Sequence, residues 1–257
     1  MQTSMCYNGH MDKTILIAGK NIPDGSDFAS SLSVKGRSVI TVASPDDKKE
    51  VITENGYSAV PWNRASALSA RSLILNCLNV SNHLDEVVLF FDEPQAAIDF
   101  NRTSATETAR IIDELVLGYQ YLLAEAVARF EQKKLRNEEI GMGKLVFLYK
   151  VNPSESDAAL NPNVRATTTL SSPLVAAAAA AFKAFAENTA ALYTESDTVY
   201  PVLIICDSSM EVSHRDNTLA SWLADYLNSI DDLKKRPAAK QLVSWIKAGA
   251  KKAGGWF

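Results

Sequence analysis

Short, near-continuously apolar runs alternate along this chain with segments of helical character, and few folds can bury both. Thr14-Ile-Leu-Ile-Ala18 closes on Gly19 and reads as a strand covered on both faces. A helix is expected from Asp24 to Val34, ended by Lys35-Gly36, and a second strand at Ser38–Val42. Asn55-Gly56 marks a turn before a weak third strand at Ala59-Val60. Ala65–Leu78 reads as a helix with Leu68, Leu75 and Leu78 among its apolar positions, and Glu86–Phe91 as the fourth strand. Thr106–Lys134 carries Ile111, Leu115, Tyr119, Leu122, Leu123 and Val127 on one broad face, the spacing of a long amphipathic helix. Gly143–Tyr149 is the fifth strand, Val151–Ser172 a polar loop, Leu174–Tyr193 a second long helix and Val199–Cys206 the sixth strand. Trp222–Ile230 and Ala238–Lys252 read as closing helices. The alternation predicts a doubly wound parallel sheet of six or seven strands in a single domain over 1–257, with residues 1–12 as an extension.

Bulk properties exclude several function classes. A net charge of −4 does not favour nucleic acid, and the basic residues are scattered. Lys133, Lys134 and Arg136, and likewise Lys247, Lys251 and Lys252, are expected at solvated helix ends, where cations suit the dipole. Cys6, Cys77 and Cys206 lie far apart without a CxxC, which predicts reduced thiols in a cytoplasmic protein. His10, His83 and His214 lack metal-site spacing, and no apolar run approaches a membrane span or a signal peptide.

The element order, the Gly19 turn and the two long helices flanking the fifth strand resemble the short-chain dehydrogenase/reductase family. The helix segment Ala180-Ala-Phe-Lys-Ala-Phe-Ala-Glu-Asn-Thr-Ala190 is similar to that family's active-site helix. The resemblance covers Thr14 to about Gly249 and implies a Rossmann-like nucleotide-binding domain. It also identifies which positions should carry chemistry, and there the chain departs from the pattern.

The family's Thr-Gly-x-x-x-Gly-x-Gly loop brings backbone against a pyrophosphate at a helix N-terminus. Here the stretch is Ala18-Gly-Lys-Asn-Ile-Pro-Asp-Gly25; Gly19 and Gly25 remain, but Pro23 replaces the middle glycine, adding a ring and removing an N–H. Asp24 adds negative charge where a diphosphate would lie, although beside a helix start it also suits the dipole. After strand two, where a ribose-binding acid is expected, stand Ala43-Ser44, with Asp46-Asp47 and then Lys48-Lys49 beyond. The Asn-Asn-Ala-Gly after strand four is replaced by Phe90-Phe-Asp-Glu93.

The resemblance places the catalytic tyrosine at Val175, the lysine at Ala179, the serine at Lys150 and the asparagine at Leu115. None can perform its counterpart's acid–base task, and no Tyr-x-x-x-Lys occurs between Asn137 and Ala191. Lys150 is expected as an exposed loop lysine; Asp207-Ser208-Ser209, at the ligand-binding edge of the sheet, is the one stretch kept as a candidate residual ligand contact, with a plain polar loop as the alternative.

The reading is therefore a non-catalytic subunit that binds no cofactor and pairs with an active, NAD-holding member of the family. Pairing would use the helices near 106–134 and 174–193, the second carrying an unbroken Ala176–Ala181. Inactive partners of this kind are known in the family; one belongs to the dehydrogenase of anaerobic toluene degradation that oxidises a hydroxylated benzylsuccinyl-CoA. Two alternatives stand beside it: a homo-oligomeric sensor of a nucleotide or acyl-CoA, and an enzyme relocated around Lys150 or Asp207. The family's seventh strand falls near Gly254–Phe257, so either it is missing or the closing helices are misplaced.

Overall fold

The structure, a computed structural model, describes residues 13–45, 51–52, 55–101, 104–135, 141–207 and 209–251. The readings of Met1–Asp12, Asp46–Lys49, Arg136, Ser208 and Lys252–Phe257 fall outside those residues. In chain order the elements begin with β1 (Lys13–Asn21), α1 (Ser26–Val34), β2 (Arg37–Ala43), β3 (Val51–Ile52), β4 (Tyr57–Pro61), α2 (Ala67–Ser81) and β5 (Glu86–Asp92). There follow α3 (Glu93–Asp99), α4 (Ala105–Ile112), a π-helical turn at Asp113–Leu117, α5 (Gly118–Leu135), β6 (Gly143–Lys150), α6 (Glu155–Leu160), α7 (Pro162–Thr167) and α8 (Pro173–Leu192). The chain closes with β7 (Val199–Cys206), a 3₁₀ turn at Glu211–Ser213, α9 (Asp216–Asp231), α10 (Ala239–Leu242) and β8 (Ile246–Lys247).

The strands form one sheet in the order β3-β4-β2-β1-β5-β6-β7-β8, parallel throughout except that β3 pairs antiparallel with β4. The seven parallel strands, with helices on both faces, make the doubly wound fold expected from the alternation. Ile15, Ile17, Val88, Val146 and Val202 face α1 and α9, through Phe28, Leu32, Leu223 and Leu227. Leu16, Leu89, Leu145 and Phe147 face the other way, onto Leu73 of α2, Leu122 of α5 and Phe182 of α8.

Side-chain caps explain several helix starts. Ser66, Ser104 and Ser172 accept from the amides of Ser69, Glu107 and Val175. Ser154 and Asp157 form a reciprocal capping box. That box starts α6 inside the stretch read as an irregular loop, and Asn161 with Pro162 starts α7 directly behind it.

Some boundaries and faces differ from expectation. The helix anticipated over Ala238–Lys252 breaks after one turn into β8, because Ala248 donates to Ile205 O and Gly249 adopts φ 86°. Sheet pairing outweighs helix propensity there, and β8 is the seventh parallel strand; Lys247 lies in it rather than at a helix end. In α2 the inward face is Ala70, Leu73, Ile74 and Cys77, whereas Leu68 and Leu75 point to solvent. The long helix is real but carries the π turn, which shifts the register between its halves.

A buried polar network closes the amino edge of the sheet. Arg37 donates from Nε to Glu86 at 2.7 Å and from Nη2 to Ala224 O and Asn228. Lys144 bonds Glu86 at 3.2 Å, Leu227 O at 2.8 Å and Asp231 at 2.8 Å, and Lys13 reaches Asp231 from outside. These bonds fasten α9 beneath the strands and leave the opposite, carboxyl edge for a ligand.

Candidate functional site

The strand order reverses between β1 and β5, and the cleft of about 360 Å³ lies there, at the carboxyl ends of both strands. Gly19, Lys20 and Asn21 form one wall, Phe91 and Asp92 the floor, and Leu115 with Tyr119 the helical wall. Gly19 adopts φ 106°, and a Cβ there would lie 2.0 Å from Phe90 O, so only glycine fits. The Tyr119 hydroxyl closes over the same spot, donating to Phe90 O at 2.6 Å; burial pushes its pKa up to about 12.

The rest of the glycine loop turns back on itself. Gly25 N donates to Asn21 O at 2.8 Å and Ser26 N to Pro23 O at 3.0 Å, and α1 starts at Ser26 rather than Asp24. Gly25 has no room for a Cβ, which would lie 2.6 Å from Lys20 O. Asp24 lines the cleft as a carboxylate ahead of the helix.

Lys20 is the residue that sequence reasoning missed. Its ammonium is nearly buried, 2.5 Å from Asp92 and 2.8 Å from Asp216, and lies 5.1 Å from the Phe90 ring centroid. Burial alone would lower its pKa; the two carboxylates outweigh that and hold it above the usual lysine value. Asp92 is the end of β5, and Asp216 begins α9, so the pair of bonds straps the glycine loop to α9 across the sheet edge. The signal available in the sequence was a lysine directly behind Gly19 facing an Asp directly behind Phe90-Phe91, but pairing them needs the β1–β5 register.

The positions matched to the family's catalytic set are placed as follows. Val175 is fully buried in the core; Ala179 is buried and lines a second cleft beside α8; Leu115 lies in the π turn and lines the first cleft. Lys150 is not an exposed loop lysine: it ends β6, is 22% exposed, and its Nζ is 3.7 Å from Asp216. Asp207 turns onto Ser209, and those hydrogen bonds hold its carboxyl below the usual range. Cys206 is buried, which pushes its thiol up to about 12. The described residues hold no group of His, Cys, Asp and Glu suited to a metal ion.

A second buried polar knot was not anticipated either. Glu93, the first residue of α3, accepts from Tyr149 OH at 2.5 Å, Asn152 N at 3.1 Å and Ser171 Oγ at 2.8 Å. Asn152 further donates to Thr169 O and Ser171 Oγ. Both ends of the 151–172 segment are thereby fixed to one carboxylate, and burial together with Glu93 pushes Tyr149 far up, so its phenol stays protonated.

This sheet order, with its cleft at the β1–β5 crossing, is the fold of the short-chain dehydrogenase/reductases. A short-chain dehydrogenase from Mycobacterium smegmatis superposes with a TM-score of 0.60 at 14% identity, covering 94% of this chain and 93% of its own. One from Mycobacterium avium gives 0.59 at 16% identity, covering 95% and 86%. The 3-ketoacyl-(acyl-carrier-protein) reductase from Brucella melitensis, solved with NADH, gives 0.57 at 16% identity, covering 91% and 96%. At these identities the likeness is one of fold. No protein-family model and no curated protein matches the sequence. No helix among the described residues is long and apolar enough to cross a membrane.

Proposed function

We propose that this chain is a non-catalytic subunit of short-chain dehydrogenase fold that assembles with an active, NAD-dependent relative and binds no dinucleotide itself. The observation that carries this reading is the Lys20 strap. Its bonds to Asp92 and Asp216 cross the carboxyl edge of β1 and β5, where a dinucleotide would have to lie. Displacing Lys20 would leave two nearly buried carboxylates beside an incoming diphosphate, and Asp24 would add to the repulsion.

The chemistry of the matched positions agrees. Buried Val175 and Ala179 offer no proton, and Lys150 is engaged near Asp216. The partner therefore supplies the NAD and the acid–base groups, with a hydroxyacyl-CoA-type alcohol as the class of substrate. The partner-facing surface is that of α4–α5 and α8, where Ala124 and Ala128, and Ala177, Ala180 and Ala184, are exposed. This subunit stabilises the assembly rather than turning over substrate.

Native mass spectrometry of the tagged chain, purified from cells that express it naturally, tests the reading. A heteromer with a second dehydrogenase-sized protein carrying Tyr-x-x-x-Lys is the expected result. A homomer that retains NAD or NADP, or that oxidises an alcohol alone, would overturn it.

A further inference from the structure

We propose that the cleft between the β1 loop and α4–α5 binds a small monocarboxylate with an apolar body, held at its carboxylate by Arg64. The inference goes beyond the proposed function and rests on that reading only in taking the dinucleotide to be shut out.

Arg64 is placed by backbone. It packs against Gly118, where a Cβ would lie 2.9 Å from the Arg64 Cβ, so the glycine lets the long helix close on the β4–α2 loop. Arg64 Nη2 donates to Gly19 O and to Asn21 Oδ1, each at 2.9 Å, and the guanidinium lies 5.3 Å from the Trp62 ring centroid. Both acceptors are neutral, and among the described residues Arg64 has no carboxylate partner. It is half-buried and lines the cleft, and its hydrogen bonds to Gly19 and Asn21 both use Nη2. A guanidinium in a cleft with neutral acceptors only keeps its full charge for an anion, and its remaining N–H groups can give single charge-assisted bonds to a carboxylate.

The other cations in the cleft are already spent. Lys20 is shared by Asp92 and Asp216, and Arg110 pairs with Glu107 and Glu114 while covering Phe100. Asp24 contributes another carboxylate. One uncompensated cation among surplus acids favours a monoanion and penalises a phosphate dianion or a diphosphate. Phe91, Ala96, Phe100 and Leu115 provide apolar lining for the ligand's body, and about 360 Å³ is at the small end of ligand pockets.

The test is isothermal titration of the full-length chain with hexanoate, its neutral isostere hexanamide, inorganic phosphate and NAD. Hexanoate should bind, and hexanamide and phosphate should bind at least about tenfold more weakly. Arg64→Gln should weaken hexanoate at least about tenfold, and Arg64→Lys, which keeps the charge but moves it and loses the guanidinium N–H groups, should fall between. Because Arg64 also braces Gly19 and Asn21, each variant's melting temperature is compared with wild type. Should Arg64→Gln misfold, Arg64→Lys carries the comparison, aided by perturbation of the Arg64 Nε–H NMR signal in wild type. Equal binding of hexanoate and hexanamide, unchanged affinity in both variants, or no hexanoate binding at millimolar concentration would each sink the proposal. NAD binding would overturn the proposed function instead, whatever hexanoate does.

Discussion

Tyr149 donates its phenol proton to Glu93 across 2.5 Å, joining the end of β6 to the first turn of the helix that follows β5. The Asn152 amide donates to the same carboxylate oxygen and Ser171 to the other, so a long connection is anchored at both ends by one buried carboxylate. Glu93→Ala should therefore cost about 2–4 kcal/mol, more than one lost hydrogen bond, because three buried donors lose their acceptor. Urea denaturation measures the loss. Hydrogen exchange should show the Asn152 amide opening first; an unchanged Asn152 protection factor would refute the role given to Glu93.

Lys20→Ala leaves Asp92 and Asp216 close together with no cation between them. The expected loss is about 3 kcal/mol in denaturant melts, in the range for breaking a buried pair. The triple variant Lys20→Met, Asp92→Asn, Asp216→Asn should recover most of it, since no charge is then buried unpaired. If Lys20→Ala alone costs nothing, the strap is not a stabilising feature.

Gly19→Ala is expected to be among the most disruptive single changes in the chain. A left-handed φ of 106° and a 2.0 Å overlap with Phe90 O act together, and at least about 3 kcal/mol should be lost. Gly36→Ala is the control: it has a φ of 81° but open space around the new methyl, so only the backbone strain of about 1 kcal/mol applies.

Acid should loosen the amino edge of the sheet. Burial would raise the Asp231 carboxyl, but hydrogen bonds from Lys13 and Lys144 outweigh it and hold the pKa below 3.8. A depressed carboxylate stabilises the fold above its unfolded value and loses that contribution as pH falls through its folded one. Stability measured by thermal melts should thus drop as pH is lowered below 3.8, and Asp231→Asn should flatten that part of the curve. A parallel slope in the variant would show that other carboxylates dominate.

The elements on which the fold rests were legible because each is a local pattern. Thr14–Ala18 and Val199–Cys206 are apolar on every residue or nearly so, as strands covered on two faces must be, and Ile111, Leu115, Tyr119 and Leu122 repeat with the helical turn. Position-by-position comparison likewise found that Val175, Ala179 and Leu115 bring no ionisable group, which is a matter of residue identity alone. The closing segment was misread because Ala238–Lys252 has good helix formers, while its fate was settled by a bond from Ala248 to Ile205, far off in sequence. The short helix at Glu93 was passed over although Asp92 and Pro94 are a recognisable start signal.

By itself, then, the sequence determined the layering of strands and helices, the proline that stands between Gly19 and Gly25, and the absence of an ionisable side chain at Val175, Ala179 and Leu115. The tertiary structure alone decided that Lys20 meets Asp92 and Asp216, that Glu93 gathers Tyr149, Asn152 and Ser171, and that Arg64 faces the cleft without a carboxylate. The physical reason is range. Periodicity and propensity act within a few turns of chain, whereas ion pairs depend on strand register and helix placement that bring together residues such as Lys20 and Asp216, and burial then fixes their strength.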